Sequence, residues 1–200
     1  MRVYGITGGA GSGKTEVAER FRAAGIPVLS ADEIGHELIA RDGVAEEAVI
    51  EAFGRGILRG DAIDRGKLGE LVFSDPEALG RLNAIVHPLI RRELHRRTGA
   101  LATEGNALAV IDAALISEDG EPEACLDGLI VVTCPRTVRV ERLVAARGLR
   151  VPEVEQRLDA QTPPEQKVAL ADWVIDNKGS LEELHAHADA VVSEVMSDAV

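Results

Sequence analysis

Aromatic side chains make up only 2% of the 200 residues, with three Phe, one Tyr and one Trp. A core short of aromatic rings must be assembled from Leu, Ile, Val and Ala, which suits a parallel sheet covered by helices better than a β-sandwich. No apolar stretch approaches the roughly 20 residues of a membrane span. The amino end runs directly into a strand-like segment, without the charged-then-apolar pattern of a secretion signal. These absences predict a cytoplasmic protein with no membrane association. Cysteine is scarce as well. Cys125 and Cys134 have no metal-ligand spacing, and in a cytosolic chain two such residues are expected to be buried reduced thiols. Basic residues are outnumbered, 22 against 34 acidic, and the formal charge of −12 opposes long-range attraction to nucleic acid. This argues against a helicase or nuclease, and requires that any anionic substrate be held by a local basic pocket.

What the chain does contain is a phosphate-binding signature. Residues Val3 to Thr15 read as a short apolar run opening into Gly8-x4-Gly13-Lys14-Thr15. Glycines let the backbone of Gly9, Ala10, Gly11, Ser12 and Gly13 curl so that successive N–H groups face a polyphosphate, and the following helix adds the positive end of its dipole. Lys14 is placed to neutralise β- and γ-phosphate charge. The Thr15 hydroxyl is a natural oxygen ligand for the Mg²⁺ that accompanies ATP. A helix over Glu16 to Ala24, with Val17, Ala18 and Phe21 on one face, completes the strand-loop-helix order.

The 46% hydrophobic content supports one substantial core. Five apolar runs predict strands: Val3 to Thr7, Pro27 to Ser30, Ala107 to Asp112, Gly128 to Thr133 and Trp173 to Asp176. Without polar alternation, each is expected to be buried on both faces. The expected fold is a doubly wound α/β P-loop core with a parallel five-stranded sheet, built from about 1–31, 105–136 and 170–200. A helical acceptor-binding insertion occupies about 32–104, and a small helical lid about 137–169. Within the insertion, Val44, Ala48, Val49 and Phe53 repeat at helical spacing, as do Leu68, Leu71 and Val72. Ser74-Asp-Pro-Glu77 reads as a capping box for a helix carrying Leu79, Leu82 and Val86, which Pro88 is expected to break and restart. Ser180 to Glu183 caps a last helix with Leu184, Ala188, Val191 and Val195 on its apolar face.

Ligands of such folds sit at the carboxyl ends of the strands. Asp32 follows the second strand and is read as a base for a substrate hydroxyl, or else as a cap of the next helix. One oriented carboxylate suffices where positioning and electrostatics supply most of the rate of phosphoryl transfer. Asp112 ends the third strand, where an acidic residue holds Mg²⁺ or caps a turn. Arg136, Arg139, Arg142, Arg147, Arg150, Arg157 and Lys167 concentrate positive charge in the lid, either against phosphate or in solvated ion pairs. His87, beside Pro88 at the expected helix junction, is read either as a structural hydrogen-bonding residue or as a site residue, and Arg91, Arg92, Arg96 and Arg97 follow at helical spacing, toward an anionic substrate or, for about half of them, solvent.

Thr7 through Thr15, Ala31-Asp32, Asp64-Arg65, Leu82-Asn-Ala-Ile-Val-His-Pro-Leu-Ile90, Asp112-x-x-Leu115-Ile-x-Glu118, Arg142, Gln161 and Ala171-Asp-x-Val-Ile-Asp-Asn-x-Gly179 together resemble the dephospho-coenzyme A kinase family over nearly the whole chain. The resemblance implies transfer of the ATP γ-phosphate to the 3′-hydroxyl of dephospho-coenzyme A. It implies that Asp32 is the base, that Arg65 and His87 lie in the acceptor region, that Arg142 faces the phosphates, and that Asn177 lies near adenine. Three departures stand out. Ser30 replaces the first Asp of the family's Asp-Ala-Asp, Ala114 replaces a Pro, and Arg147 lies five residues after Arg142 where the family has a four-residue spacing. On a helix one residue is a turn of about 100°, so Arg147 can substitute only where the helix ends or unwinds, as Gly148 allows. A nucleoside or nucleotide kinase shares the loop and lid, and an ATP-binding regulatory protein shares the loop alone. The His87-Pro88 insertion favours the long acceptor, and the sequence leaves the oligomeric state open.

Overall fold

The computed structural model describes residues 1–113, 126–148, 150–159 and 164–198, without the side chains of 147, 157, 164 and 165. In chain order the elements are β1 (Arg2–Thr7), α1 (Lys14–Ala23), β2 (Val28–Ser30), α2 (Ala31–Ile39), α3 (Glu46–Phe53), β3 (Leu58–Arg59), β4 (Ala62–Ile63), α4 (Arg65–Ser74) and α5 (Pro76–Thr103). They continue with β5 (Leu108–Asp112), β6 (Gly128–Thr133), α6 (Arg136–Arg147), α7 (Val151–Asp159), α8 (Pro164–Val168), β7 (Trp173–Asp176) and α9 (Leu181–Asp198). The chain divides into two compact units, one of residues 1–30 and 98–200, the other of residues 31–97.

In the first unit, five parallel strands form one sheet in the order β2-β5-β1-β6-β7. Each of the five apolar runs became a strand. Parallel strands need crossover connections, and covered faces explain why Leu108 to Asp112 is buried at every position. Tyr4, Ile6, Val110, Ile130 and Ile175 pack on one face with Val17 and Phe21 of α1 and Leu184, Ala188 and Val195 of α9. The scarce rings meet there: Tyr4 and Trp173 stack edge to face at 5.8 Å. The α9 helix starts with a reciprocal cap, Glu183 N–H donating to Ser180 Oγ at 3.2 Å and Ser180 N–H to the Glu183 carboxylate at 2.7 Å. Among the described residues, no helix is long and apolar enough to cross a membrane.

The second unit has its own core of Ile39, Ala45, Val49, Ile57, Leu68, Val72, Ala78 and Val86. Its β3–β4 hairpin was not read from the sequence, because two-residue strands carry too little alternation to register. Val44 precedes α3 rather than joining it, and is exposed. Two expectations about α5 are corrected. Asp75, not Ser74, caps it: the Asp75 carboxylate accepts from Glu77 N–H at 2.9 Å, with Pro76 as first helical residue, while Ser74 ends α4. Pro88 does not break the helix, which runs unbroken through it for 28 residues. Buried Ala78, Val86 and Leu94 spread along its length, so packing outweighs the one hydrogen bond that proline removes.

Candidate active site

The phosphate loop leaves the end of β1 and enters α1. Gly11 and Gly13 have φ of 77° and 94°, left-handed values that side chains resist. A Cβ on Gly8 would stand 2.6 Å from the Val132 carbonyl oxygen, so that position is closed to side chains as well. A loop that turns N–H groups inward toward an anion turns carbonyls outward, and two of these are tied to side chains. The Ala10 oxygen accepts from Arg139 Nε at 2.8 Å, and the Ser12 oxygen accepts from Asn177 Nδ2 at 2.8 Å. The Ser12 hydroxyl is 1% exposed and has no hydrogen-bond partner among the described residues.

Lys14 opens α1, and its ammonium is paired with the carboxylate of Asp112 at the end of β5. The strand register explains the meeting: Ile6 of β1 lies beside Asp112, and Ser30 of β2 lies on its other side. Thr15, next along α1, is exposed.

The basic cluster separates into different tasks. Arg136 is bound to Glu155 Oε2 and to Asp159, at 2.7 Å for the latter, and so fastens α6 to α7. Arg150 pairs with Glu153 at 2.7 Å in the first turn of α7. Arg139 is 6% exposed, and desolvation pushes its guanidinium below the ordinary value. Arg142 lends Nη2 to Asn177 Oδ1 at 3.3 Å and approaches Cys134 Sγ at 3.7 Å through Nη1. Burial pushes the Cys134 thiol up, against the lowering influence of Arg142 and Arg139. Lys167 is also buried. The side chains of Arg147 and Arg157 lie outside the described residues.

In the second unit, Asp32 is exposed in the first turn of α2. His36, one helical turn on, was not singled out from the sequence, although its spacing from Asp32 was the available signal. Partial desolvation and then the charge of Arg65 push His36 below its ordinary value, while Asp32 and Glu33 pull the other way. The structure thus brings Asp32, His36 and Arg65 into one electrostatic neighbourhood. Asp64 has a structural task. Its carboxylate caps α4 by accepting from Gly66 N–H at 2.9 Å and Lys67 N–H at 3.3 Å, and pairs with Arg59 at 2.7 Å. Burial would raise this carboxyl, but those N–H groups and the nearby charges hold it below the ordinary value. His87 is half-buried within α5, not at a junction of two helices. Arg96 and Arg97 are both tied to Glu93, at 2.7 and 2.8 Å, and Arg97 also to Glu37. Arg91 and Arg92 are exposed.

The family model for dephospho-CoA kinase matches residues 2–183. The chain belongs to the dephospho-CoA kinase family. A relative from Anaeromyxobacter dehalogenans, named dephospho-CoA kinase, is 41% identical over 196 residues, covering 98% of this chain and 92% of its own. A crystal structure from Thermus thermophilus superposes with a TM-score of 0.80 at 39% identity, covering 97% of each chain. The dephospho-CoA kinase of Campylobacter jejuni superposes with a TM-score of 0.72 at 27% identity over the full length of both.

Against the dephospho-CoA kinase pattern, the backbone around the Ser30 departure is regular. Ser30 ends β2 in register with Asp112, Ala31 is buried, and Asp32 is exposed. At the Arg147 departure α6 does end: Gly148 takes φ 62° and its N–H closes on the Val144 carbonyl at 3.0 Å. Ala114, Leu115, Glu118, Cys125 and Gln161 lie outside the described residues.

Proposed function

We propose that this protein transfers the γ-phosphate of ATP to the 3′-hydroxyl of dephospho-coenzyme A, releasing coenzyme A and ADP. The observation that carries the reading is a fully built phosphate loop in a chain that belongs to the dephospho-CoA kinase family along nearly its whole length. In the reaction the acceptor oxygen bonds to the γ-phosphorus, the bond from that phosphorus to the β–γ bridging oxygen breaks, and ADP leaves. Asp32 takes the proton of the hydroxyl. Backbone N–H groups of Gly9 to Gly13 hold the phosphates, and Lys14 and Arg142 neutralise charge as it spreads over the transferring group. Arg65 and His87 bind the acceptor, and Asn177 belongs to the nucleotide side of the site.

The donor set suits Mg²⁺: Thr15 offers an exposed hydroxyl and Asp112 a carboxylate, both hard oxygen ligands, which leaves room for nucleotide oxygens and water. When bound, the ion would supply screening of the phosphate charge. A cytoplasmic location belongs to the same reading, supported by the free buried thiol of Cys134.

The test is a coupled ADP-release assay with purified protein, Mg²⁺, ATP and a panel of dephospho-coenzyme A, adenosine and nucleoside monophosphates. ADP release that requires dephospho-coenzyme A is expected. Preference for a nucleoside or nucleotide would assign a different kinase, and release indifferent to any acceptor would assign an ATPase switch. Asp32→Asn should lower kcat by about 100-fold or more with little change in ATP affinity, the scale of general-base loss. An unchanged kcat removes Asp32 as base.

A further inference from the structure

We propose that Asn177 is a positioning residue which, through one carboxamide, sets both the curvature of the phosphate loop and the direction of the Arg142 guanidinium. The idea rests on the reading of this loop as an ATP site, and assigns the side chain a task beyond nearness to the nucleotide.

Asn177 follows β7 directly, and its own N–H is fixed to the Thr133 carbonyl at 2.8 Å, so its backbone is held by the sheet. The residue is 2% exposed and both ends of its amide are engaged. Nδ2 donates to the Ser12 carbonyl at 2.8 Å, while Oδ1 accepts from Arg142 Nη2 at 3.3 Å. A carbonyl can only accept and a guanidinium can only donate, so the chemistry permits one orientation of the amide. Gly13 makes room for it: a Cβ on Gly13 would collide with Nδ2, and its φ of 94° already excludes side chains. Gly13 and Asn177 therefore depend on each other.

Two consequences follow from the same bonds. Without Nδ2, the Ser12 carbonyl loses its partner, and rotation of that peptide would turn a lone pair toward the phosphates in place of an N–H. Without Oδ1, Arg142 loses the oxygen that aims it. Among the described residues, Arg142 touches an amide oxygen and a thiol but no carboxylate. A neutral partner leaves its full positive charge for the triphosphate, which a carboxylate at position 177 would not.

A double-mutant cycle between Asn177→Ala and Arg142→Ala, read by titration calorimetry with ATP alone and by steady-state kinetics, tests this. Asn177→Ala should weaken ATP binding by about tenfold or more, the scale of a lost buried hydrogen bond plus a misaimed charge, while the KM for dephospho-coenzyme A stays within about twofold. Arg142→Ala should then cost less in the Asn177→Ala background than in the wild type, in both ATP affinity and kcat. Strict additivity, or wild-type ATP affinity in Asn177→Ala, overturns the proposal. Should Asn177→Ala fail to fold, the isosteric Asn177→Asp carries the test. Its carboxylate opposes the Ser12 carbonyl and captures Arg142, so weakened ATP binding supports the proposal and wild-type affinity overturns it. The binding arm needs no acceptor. A protein that binds ATP with the expected coupling yet leaves dephospho-coenzyme A unphosphorylated would sink the proposed function and sustain the role of Asn177.

Discussion

The ammonium of Lys14 and the carboxylate of Asp112 are paired, joining the first residue of α1 to the last residue of β5. Both side chains are largely shielded, at 14% and 11% exposure, so each is the other's main counter-charge in this state. Under the proposed function a triphosphate would compete with Asp112 for Lys14, and that exchange would enter the free energy of nucleotide binding. Asp112→Asn removes the competitor. ATP binding without Mg²⁺ should tighten by about three- to tenfold, a modest change because charge interactions near a surface are screened. Turnover with Mg²⁺ should fall by about tenfold or more, because the carboxylate that the proposed function assigns to the ion becomes a neutral amide. Calorimetry with and without Mg²⁺ separates the two effects, and equal affinity in Asp112→Asn and the wild type without Mg²⁺ would mean the ion pair is of no consequence for binding.

Arg139 holds the phosphate loop from outside. Its Nε reaches the Ala10 carbonyl at 2.8 Å from a position with 6% exposure. A cation so desolvated is retained only with hydrogen-bond partners, and the lysine ammonium is too compact to reproduce the planar guanidinium. Arg139→Lys should therefore destabilise the fold by about 1–3 kcal/mol and loosen ATP binding, whereas Arg150→Lys, at an exposed ion pair, should change neither measurably. Thermal melts of the two variants side by side check the contrast.

Glu93 gives acid stability a local cause. Hydrogen bonds from Arg96 and Arg97 hold its carboxyl down to about 2, against the partial burial that opposes ionisation. With the folded value below the ordinary 4.5, the stabilisation is complete above that range and is lost as pH falls toward about 2. Glu93→Gln should melt below the wild type at neutral pH, and the gap should close as the pH is lowered through that interval. A gap independent of pH would assign the effect to packing.

The nucleotide half was the most legible part of this chain. Gly8, Gly11 and Gly13 were legible because glycine spacing follows from backbone geometry. Strands β1, β5 and β6 were legible for a similar reason, since burial on both faces leaves unbroken apolar runs, whereas β2 and β7 are only partly covered, with Val174 exposed, against the expectation of burial on both faces. The arginines were not. Arg136, Arg139, Arg142 and Arg150 look alike in sequence, yet two of them pair with carboxylates, one braces a loop carbonyl and one meets Asn177. A side chain this long takes its role from partners far along the chain, which no local pattern encodes. Asn177 was placed by resemblance alone, and its grip on Ser12 spans 165 residues. His36 went unread because its one-turn spacing from Asp32 is a weak signal by itself, and its other charged neighbour, Arg65, is distant in sequence.

Pro88 is where the expectation from local chemistry failed, and it supplies a test. Proline within a helix lacks the N–H that would bond the carbonyl four residues back, at Ala84, and its ring crowds that oxygen. The helix nonetheless continues from Pro76 to Thr103, held by Ala78, Val86 and Leu94 in the core. Pro88→Ala restores the missing bond with a better helix former, and should raise stability by about 1–3 kcal/mol, or about 2–4 °C in Tm for each kcal/mol at this chain length. Pro88 follows His87, which the proposed function places against the acceptor, and replacing its ring with a hydrogen-bonded turn would alter the packing around that imidazole. The variant should accordingly melt higher while its KM for dephospho-coenzyme A rises by about threefold or more, at unchanged ATP affinity, since small misplacements of binding groups are felt strongly. A higher Tm with a wild-type KM would show that the proline serves neither the helix nor the site.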